Sequence, residues 1–152
     1  MRWEEIIVEL ARVKPDTAGW LFELACYPKL KEIFGELEAG YPFDFKVKGK
    51  SIYIEVKKRG WPLHEKQIDF VMETEADFYI ACLEEHFTDR LEELGDVKHR
   101  FETLFGTVVV LKLNIEVFRG MFEEEYRQRK LYERYLKKLA EETLWRLVMK
   151  RP

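Results

Sequence analysis

The stretch YPFDFKVKGKSIYIEVKK, residues 41–58, constrains this chain more than any other. Two runs of alternating apolar and polar residues flank Gly49 and Lys50, and a period of two is the mark of a strand. The pattern predicts a hairpin with Gly49-Lys50 as a two-residue turn, glycine supplying the positive φ that a type II′ turn needs at its first central position. Lys48 then faces Ser51, Lys46 faces Tyr53, and Asp44 falls opposite Glu55. Phe43, Phe45 and Val47 share one side of the first strand, and Asp44, Lys46 and Lys48 the other. Ile52, Ile54 and Val56 sort away from Ser51, Tyr53, Glu55 and Lys57 in the same way.

Opposed residues in an antiparallel pair have Cβ atoms about 4.5–5.5 Å apart, and like charges there cost stability. A register that sets Asp44 against Glu55 therefore calls for a cation between them. Two carboxylates suit Mg²⁺ or Mn²⁺, hard ions that take oxygen ligands and keep several waters. Lys57 shares a side with Glu55, about 6.6 Å further along the strand. An ammonium there can hold an attacking water or stabilise charge developing on a phosphate. Two acids, a metal and a lysine are the parts of metal-assisted phosphodiester hydrolysis. The bland alternative is a solvated hairpin face whose acids pair with Lys46 and Lys57.

Asp44, ten intervening residues and then Glu55-Val56-Lys57, with Pro42 just ahead of the first acid, resemble the PD-(D/E)xK nuclease signature. That superfamily includes restriction endonucleases, archaeal Holliday-junction resolvases and virus-type replication-repair nucleases. One departure is Phe43, which separates the proline from the aspartate. The resemblance spans about residues 19–84 and is nearest in outline to the small resolvase and replication-repair branches. It implies a restriction-endonuclease-like core and a Mg²⁺-dependent deoxyribonuclease. Asp44 and Glu55 would bind the metal, the Val56 carbonyl would be a further ligand, and Lys57 would complete the catalytic set. A helix ahead of the hairpin often brings another glutamate to such a site. Here that is Glu23 in GWLFE, which could equally be the solvent-facing residue of its helix; Glu9, Glu36 and Glu38 are weaker candidates. In HEKQIDF, Gln67 matches a helix glutamine near the active site.

Charge adds a partner. The net charge is −3, but Lys46, Lys48, Lys50, Lys57, Lys58 and Arg59 crowd one segment, and from Arg119 onward ten Lys and Arg stand against six Glu. For a polyanion a local patch matters more than the mean. Lys46, Lys48, Lys50, Lys58, Arg59 and Gln67 are the expected DNA contacts, the basic ones through counterion release. Lysines that merely protect an edge strand are the alternative. A junction resolvase would need a dimer to space two sites. A degenerate nuclease fold would hold nucleic acid without cutting it.

The remaining segments predict an α/β (α+β) chain in the order α-α-β-β-α-β-α-β-α, one domain of 152 residues with a small mixed central sheet and a long C-terminal helix. Helices are expected over residues 2–13, ended by Pro15, then from a cap at Asp16 or Thr17 with Pro28 kinking or dividing the helix. The nuclease core is expected over about 16–84. DFYIACL (77–83) and TVVVLKL (107–113) read as buried strands, and 86–105 as helix broken at Gly95. The helix over about 121–149 carries Phe122, Tyr126, Tyr132, Tyr135, Leu136, Leu139 and Leu147 as a stripe. That stripe suits packing or a homodimer better than nucleic acid.

His64 fits the first turn of a helix, and His86 and His99 the surface. Cys26 and Cys82 stand singly in apolar settings, as inert thiols do. Asn114, Gln67 and Gln128 are the only side-chain amides, a bias typical of hot habitats. No apolar run approaches the roughly 18 residues of a membrane helix. The first residues carry acids and lack a small-residue cleavage site, so a cytoplasmic protein is expected.

Overall fold

The computed structural model describes residues 2–15 and 20–150. The predicted caps Asp16 and Thr17 lie outside them. The described chain runs α1 (Trp3–Val13), α2 (Trp20–Phe34), β1 (Leu37–Gly40), β2 (Phe43–Val47), β3 (Ile52–Val56), α3 (Glu65–Glu73), β4 (Asp77–Leu83), a 3₁₀ turn, α4 (Asp89–Leu94), β5 (Gly95–Thr103), β6 (Gly106–Leu113) and α5 (Ile115–Met149). The α+β class and the long C-terminal helix are as expected. Pro28 sits within α2 and does not divide it. Asn114, not a residue near 121, starts α5, its side chain accepting a hydrogen bond from the Val117 amide at 3.2 Å.

The six strands form one mixed sheet in the order β1-β2-β3-β4-β6-β5. Only β3 and β4 are parallel, joined through α3; the other pairs are antiparallel. Apolar side chains point from both faces of its central strands, as a sheet covered on both sides requires. Phe45, Val47, Ile54, Ala81, Val108 and Val110 pack against Leu10 of α1 and Phe22, Tyr27 and Leu30 of α2. Phe78, Ile80, Val109 and Leu111 pack on the other face against Val71 of α3, Leu91 and Leu94 of α4, and Phe118 and Phe122 of α5. The site discussed below lies at one end of β2 and β3, between these helical layers.

Four expectations change. The segment predicted as helix after Gly95 is the edge strand β5, whose residues alternate only between half-buried and exposed for most of its length. Its charges, including Lys98 and Arg100, suppress the apolar period of a strand, while protecting an open edge. Gly95 is needed because a Cβ there would lie 2.0 Å from the Lys112 carbonyl oxygen. The short strand β1 also escapes the pattern, having only four residues.

The hairpin turn differs by one position. The Lys50 amide donates to the Val47 carbonyl at 3.1 Å. Gly49, with φ of +77°, therefore occupies the second central position, and Lys48 has negative φ, the arrangement of a type II turn. The register survives, with Phe45 opposite Ile54 and Lys46 opposite Tyr53. Finally, Phe43 does not share a core with Phe45 and Val47. It packs on the other side, 5.2 Å from the Phe78 ring and near Tyr53 and Phe70. The β1–β2 register shifts at Ala39 and Gly40, which breaks strict alternation where β2 begins.

Candidate active site

Continuing the β2–β3 register by one step sets Asp44 opposite Glu55, and there the side chains take over from the backbone ladder. The Asp44 amide donates to Glu55 Oε1 at 3.2 Å, and the Val56 amide donates to Asp44 Oδ2 at 2.7 Å. Each carboxylate thus satisfies a backbone N–H of the opposite strand, and the two are locked together. In an extended strand the N–H and C=O of one residue point to the same side. The Val56 carbonyl therefore faces the Asp44 side of β3.

Helices supply the remaining groups. Glu23 projects from the first turn of α2, and Lys14 follows the end of α1. The Lys14 ammonium lies 3.1 Å from both Glu23 oxygens and also pairs with Asp44. All three side chains are largely buried, at 17% exposure for Lys14, 12% for Glu23 and 15% for Asp44. From the opposite layer, Gln67 on α3 donates through Nε2 to Glu55 Oε2 at 2.7 Å and to the Pro42 carbonyl at 3.0 Å. Its Oε1 accepts from the His64 amide at 2.9 Å, so the amide group is fixed at both ends.

Three carboxylates against one ammonium shape the electrostatics. Burial, with the Asp44 charge second, pushes the Glu55 carboxyl up to about 8. Burial and then Asp44 also raise Glu23, against the opposing pull of Lys14. Burial alone would lower the Lys14 ammonium, but Asp44 and Glu23 reverse this, and the net direction is upward. Glu55 is therefore a buried acid that ionises only at some cost, beside a carboxylate that resists a second charge.

The structure brings together Asp44, Glu55, Glu23 and Gln67 from the residues picked out in the sequence. It does not bring in Lys57. That ammonium donates to the Pro62 carbonyl instead. Gln67 reaches the site but not as a DNA contact, because it is 2% exposed and its amide hydrogens serve Glu55 and Pro42. Glu9 lies elsewhere, accepting hydrogen bonds from Tyr27 and Lys31, and the Lys31 bond draws its carboxyl below the ordinary range. Glu36 and Glu38 pair with Lys48 and Lys46 beside the hairpin.

The basic residues are divided between the two ends of the hairpin: Lys58 and Arg59 follow β3 at the site end, and Lys48 and Lys50 lie in the turn at the other end. Lys50 and Arg59 are exposed, and Lys58 stands 4.6 Å above the Phe105 ring. His64 precedes α3, His86 sits 3.6 Å from Glu85, and His99 packs beside Phe34. Both cysteines are free and buried, and burial pushes Cys26 up to about 12 and Cys82 to about 11. Such thiols do not act as nucleophiles.

Lys14 is the residue that sequence reasoning missed. Nothing in the alternation of a hairpin points to a lysine thirty positions earlier. The one available signal was its place in ARVKP, where Pro15 ends α1 and leaves the last side chain of the helix free to turn inward.

As the side chains stand, no group of three or more His, Cys, Asp or Glu among the described residues is disposed around a common metal position. The Lys14 ammonium lies between two of the carboxylates. No protein-family model, curated protein or solved structure matches this chain. No helix among the described residues is long and apolar enough to cross a membrane.

Proposed function

We propose that this chain is a divalent-metal-dependent nuclease that hydrolyses phosphodiester bonds of DNA, of the PD-(D/E)xK type. The supporting observation is the meeting of Asp44 and Glu55 at the end of β2 and β3, with Glu23 beside them and the Val56 carbonyl on the same side. The donor set is all oxygen, which fits Mg²⁺ or Mn²⁺. Burial and the Asp44 charge make ionisation of Glu55 costly. A divalent ion would relieve that cost and take the place that Lys14 now fills.

Bound there, the ion would acidify a water and neutralise the scissile phosphate. The chain's own groups do the rest. Asp44, Glu55, Glu23 and the Val56 carbonyl would hold the cation. Gln67 fixes the orientation of Glu55. Lys57, two residues beyond Glu55 on β3, swings from the Pro62 carbonyl to the phosphate or the attacking water. Lys46, Lys48, Lys50, Lys58 and Arg59 supply affinity for the DNA backbone.

One observation favours a second, non-catalytic reading. Lys14 already pairs with Asp44 and Glu23, and Lys57 is turned away. The cluster could then be a structural clamp in a protein that binds nucleic acid without cutting it. Incubation with single-stranded, duplex, flapped and four-way DNA, each with Mg²⁺, Mn²⁺ or EDTA, separates the two. The nuclease reading expects metal-dependent cleavage that is abolished in Asp44→Asn and Lys57→Ala. Full activity in either variant, or no cleavage of any substrate, refutes it. Cleavage confined to four-way junctions narrows the assignment to a resolvase.

A further inference from the structure

Outside α1 and α5, the large apolar side chains left in water among the described residues are Leu21, Tyr41 and Leu104, at 70%, 77% and 91% exposure. All three lie at the end of the sheet that carries the carboxylates. Leu21 stands two positions before Glu23 on α2 and so faces away from it. Tyr41 precedes Asp44 by three residues, beside the start of β2. Leu104 is the tip of the β5–β6 hairpin, at the same end as Leu83 and Val56. Tyr41 and Leu104 are both held in place. Tyr41 Oη accepts from the Lys66 ammonium at 3.3 Å, and the neighbouring Pro42 carbonyl accepts from the Gln67 amide that also holds Glu55. In the Leu104 turn the Thr103 hydroxyl donates to the Gly106 carbonyl at 2.9 Å and accepts from the Phe105 amide at 3.1 Å. Phe105 itself packs edge-on against Phe22, 5.7 Å between ring centres.

Each of these apolar groups has an ammonium nearby: Lys66 at Tyr41, and Lys58, 4.6 Å above the ring of Phe105, next to Leu104. Apolar surface alternating with positive charge suits a ligand that alternates flat apolar faces with negative charge. We infer that the site takes DNA as an unpaired single strand, its bases resting on Tyr41 and Leu104 and its phosphates against Lys66 and Lys58. This names the substrate form for the nuclease reading and rests on that reading for the reaction. Every base has a π-face, so a tyrosine ring can stack under any sequence, and basic side chains track the backbone. A duplex keeps its base faces stacked inside. Its outer surface is phosphate and sugar, which would set a polyanion against an exposed leucine and an aromatic ring. An ammonium has three donors, so Lys66 can keep Tyr41 and still meet a phosphate.

The spacing fits. In the strand order β1-β2-β3-β4-β6-β5, four strand spacings separate the β1–β2 end, where Tyr41 stands, from the β5–β6 turn. At ~4.8 Å each this is about 19 Å, the reach of a few nucleotides of extended strand. The line between them passes the ends of β2 and β3, where the carboxylates lie. Those carboxylates are recessed, with Glu23 12% exposed, Asp44 15% and Glu55 8%. A scissile phosphate has to enter the recess. A flexible single strand bends into it, whereas a duplex, with its persistence length of about 50 nm, resists so local a bend.

Fluorescence anisotropy with a labelled oligo(dT) strand of about 16 nucleotides, in EDTA, reads binding apart from cleavage. The full chain should bind this strand about tenfold more tightly than the same strand annealed to oligo(dA). Tyr41→Ala should weaken single-strand binding by about tenfold, and Tyr41→Phe, which keeps the ring, should stay within about twofold of the wild type. Lys66→Gln should flatten the slope of log K against log salt by about 0.7, the share of one phosphate contact. Tyr41 and Lys66 are exposed, so these variants keep the fold. The inference is overturned by equal binding of the two DNA forms, by a Tyr41→Ala chain that binds as the wild type does, or by Tyr41→Phe falling as far as Tyr41→Ala. Single-strand preference in EDTA without cleavage in Mg²⁺ or Mn²⁺ upholds it and refutes the nuclease reading. Metal-dependent cleavage with no preference for single strands overturns it and leaves the nuclease reading standing.

Discussion

Replacing Glu55 by glutamine separates the cost of ionising a buried carboxyl from everything else in the site. Glu55 ionises at about 8 in the folded chain, against an ordinary value of 4.5. Between those values the folded state binds a proton that the unfolded state has released, so stability falls as pH rises. The contribution is present in full below about pH 4.5 and is lost progressively as pH rises to about 8. At ~1.36 kcal/mol per pH unit, the loss between pH 5 and pH 8 is a few kcal/mol. For a chain of this length that corresponds to a fall in melting temperature on the order of 10 °C.

Glutamine keeps the shape but cannot accept from both the Asp44 amide and Gln67, so one hydrogen bond is lost at every pH, costing about 1 kcal/mol. The readout is therefore the slope and not the absolute stability. Urea unfolding in EDTA at pH 5, 6, 7 and 8 should show the wild-type chain losing stability relative to Glu55→Gln. Every other titrating group is common to both proteins. Parallel curves would mean that Glu55 ionises as an exposed carboxyl does, and the account of the site's charge would be wrong.

Lys14→Met leaves Asp44 and Glu23 buried without their counter-charge, and should cost about 3 kcal/mol in denaturant unfolding in EDTA. If the carboxylates hold a divalent ion, Mn²⁺ should recover part of that loss. Gln67→Ala leaves Glu55 Oε2 and the His64 amide without their partner, and should lower stability by about 1–3 kcal/mol in the same assay. Gly95→Ala forces a Cβ against the Lys112 carbonyl and should loosen the β5–β6 edge, read as early hydrogen exchange of the β5 amides.

The hairpin was legible because a period of two is a local property. Residues 43–56 carry it clearly enough to fix the register, even though the turn sits one position from where Gly49-Lys50 suggested. The buried strands β4 and β6 were legible for a related reason, as unbroken apolar runs. What failed was polar or short. The charges of β5 hide its period, and β1 is too brief to show one. Phe43 was misplaced because a shift in the register of the neighbouring strand, which alternation cannot reveal, sends it to the other core. In the site, Asp44 and Glu55 followed from pairing within the hairpin. Gln67 was found but given the wrong task, since burial is a property of the whole fold. Lys14 was not found at all, because its contacts to Glu23 and Asp44 come from helix packing. The direction of Lys57 depends on the Pro62 carbonyl, and strand alternation specifies a side and not a partner.

The carboxylate cluster is a poor way to hold two strands together. A buried ion network repays its desolvation only when its charges balance, and apolar residues of similar volume often stabilise as well or better. Here they do not balance: Glu23, Asp44 and Glu55 share one ammonium, and the mismatch appears as the upward displacement of Glu55 and Glu23. Two strands that needed only a lock could have continued the backbone ladder through Asp44 and Glu55 without side-chain help. The fold instead stops the ladder there, and buries Glu55 against the Gln67 amide and Asp44 against the Lys14 ammonium. Retaining so unfavourable an arrangement is expected where the charges serve a ligand and not the fold, since displaced carboxyl groups gather at functional sites. Lys14 fits the same argument. It offsets part of the repulsion, yet it is one ammonium for three carboxyl groups, and under the proposed nuclease reading a divalent cation in its place would suit those acids better.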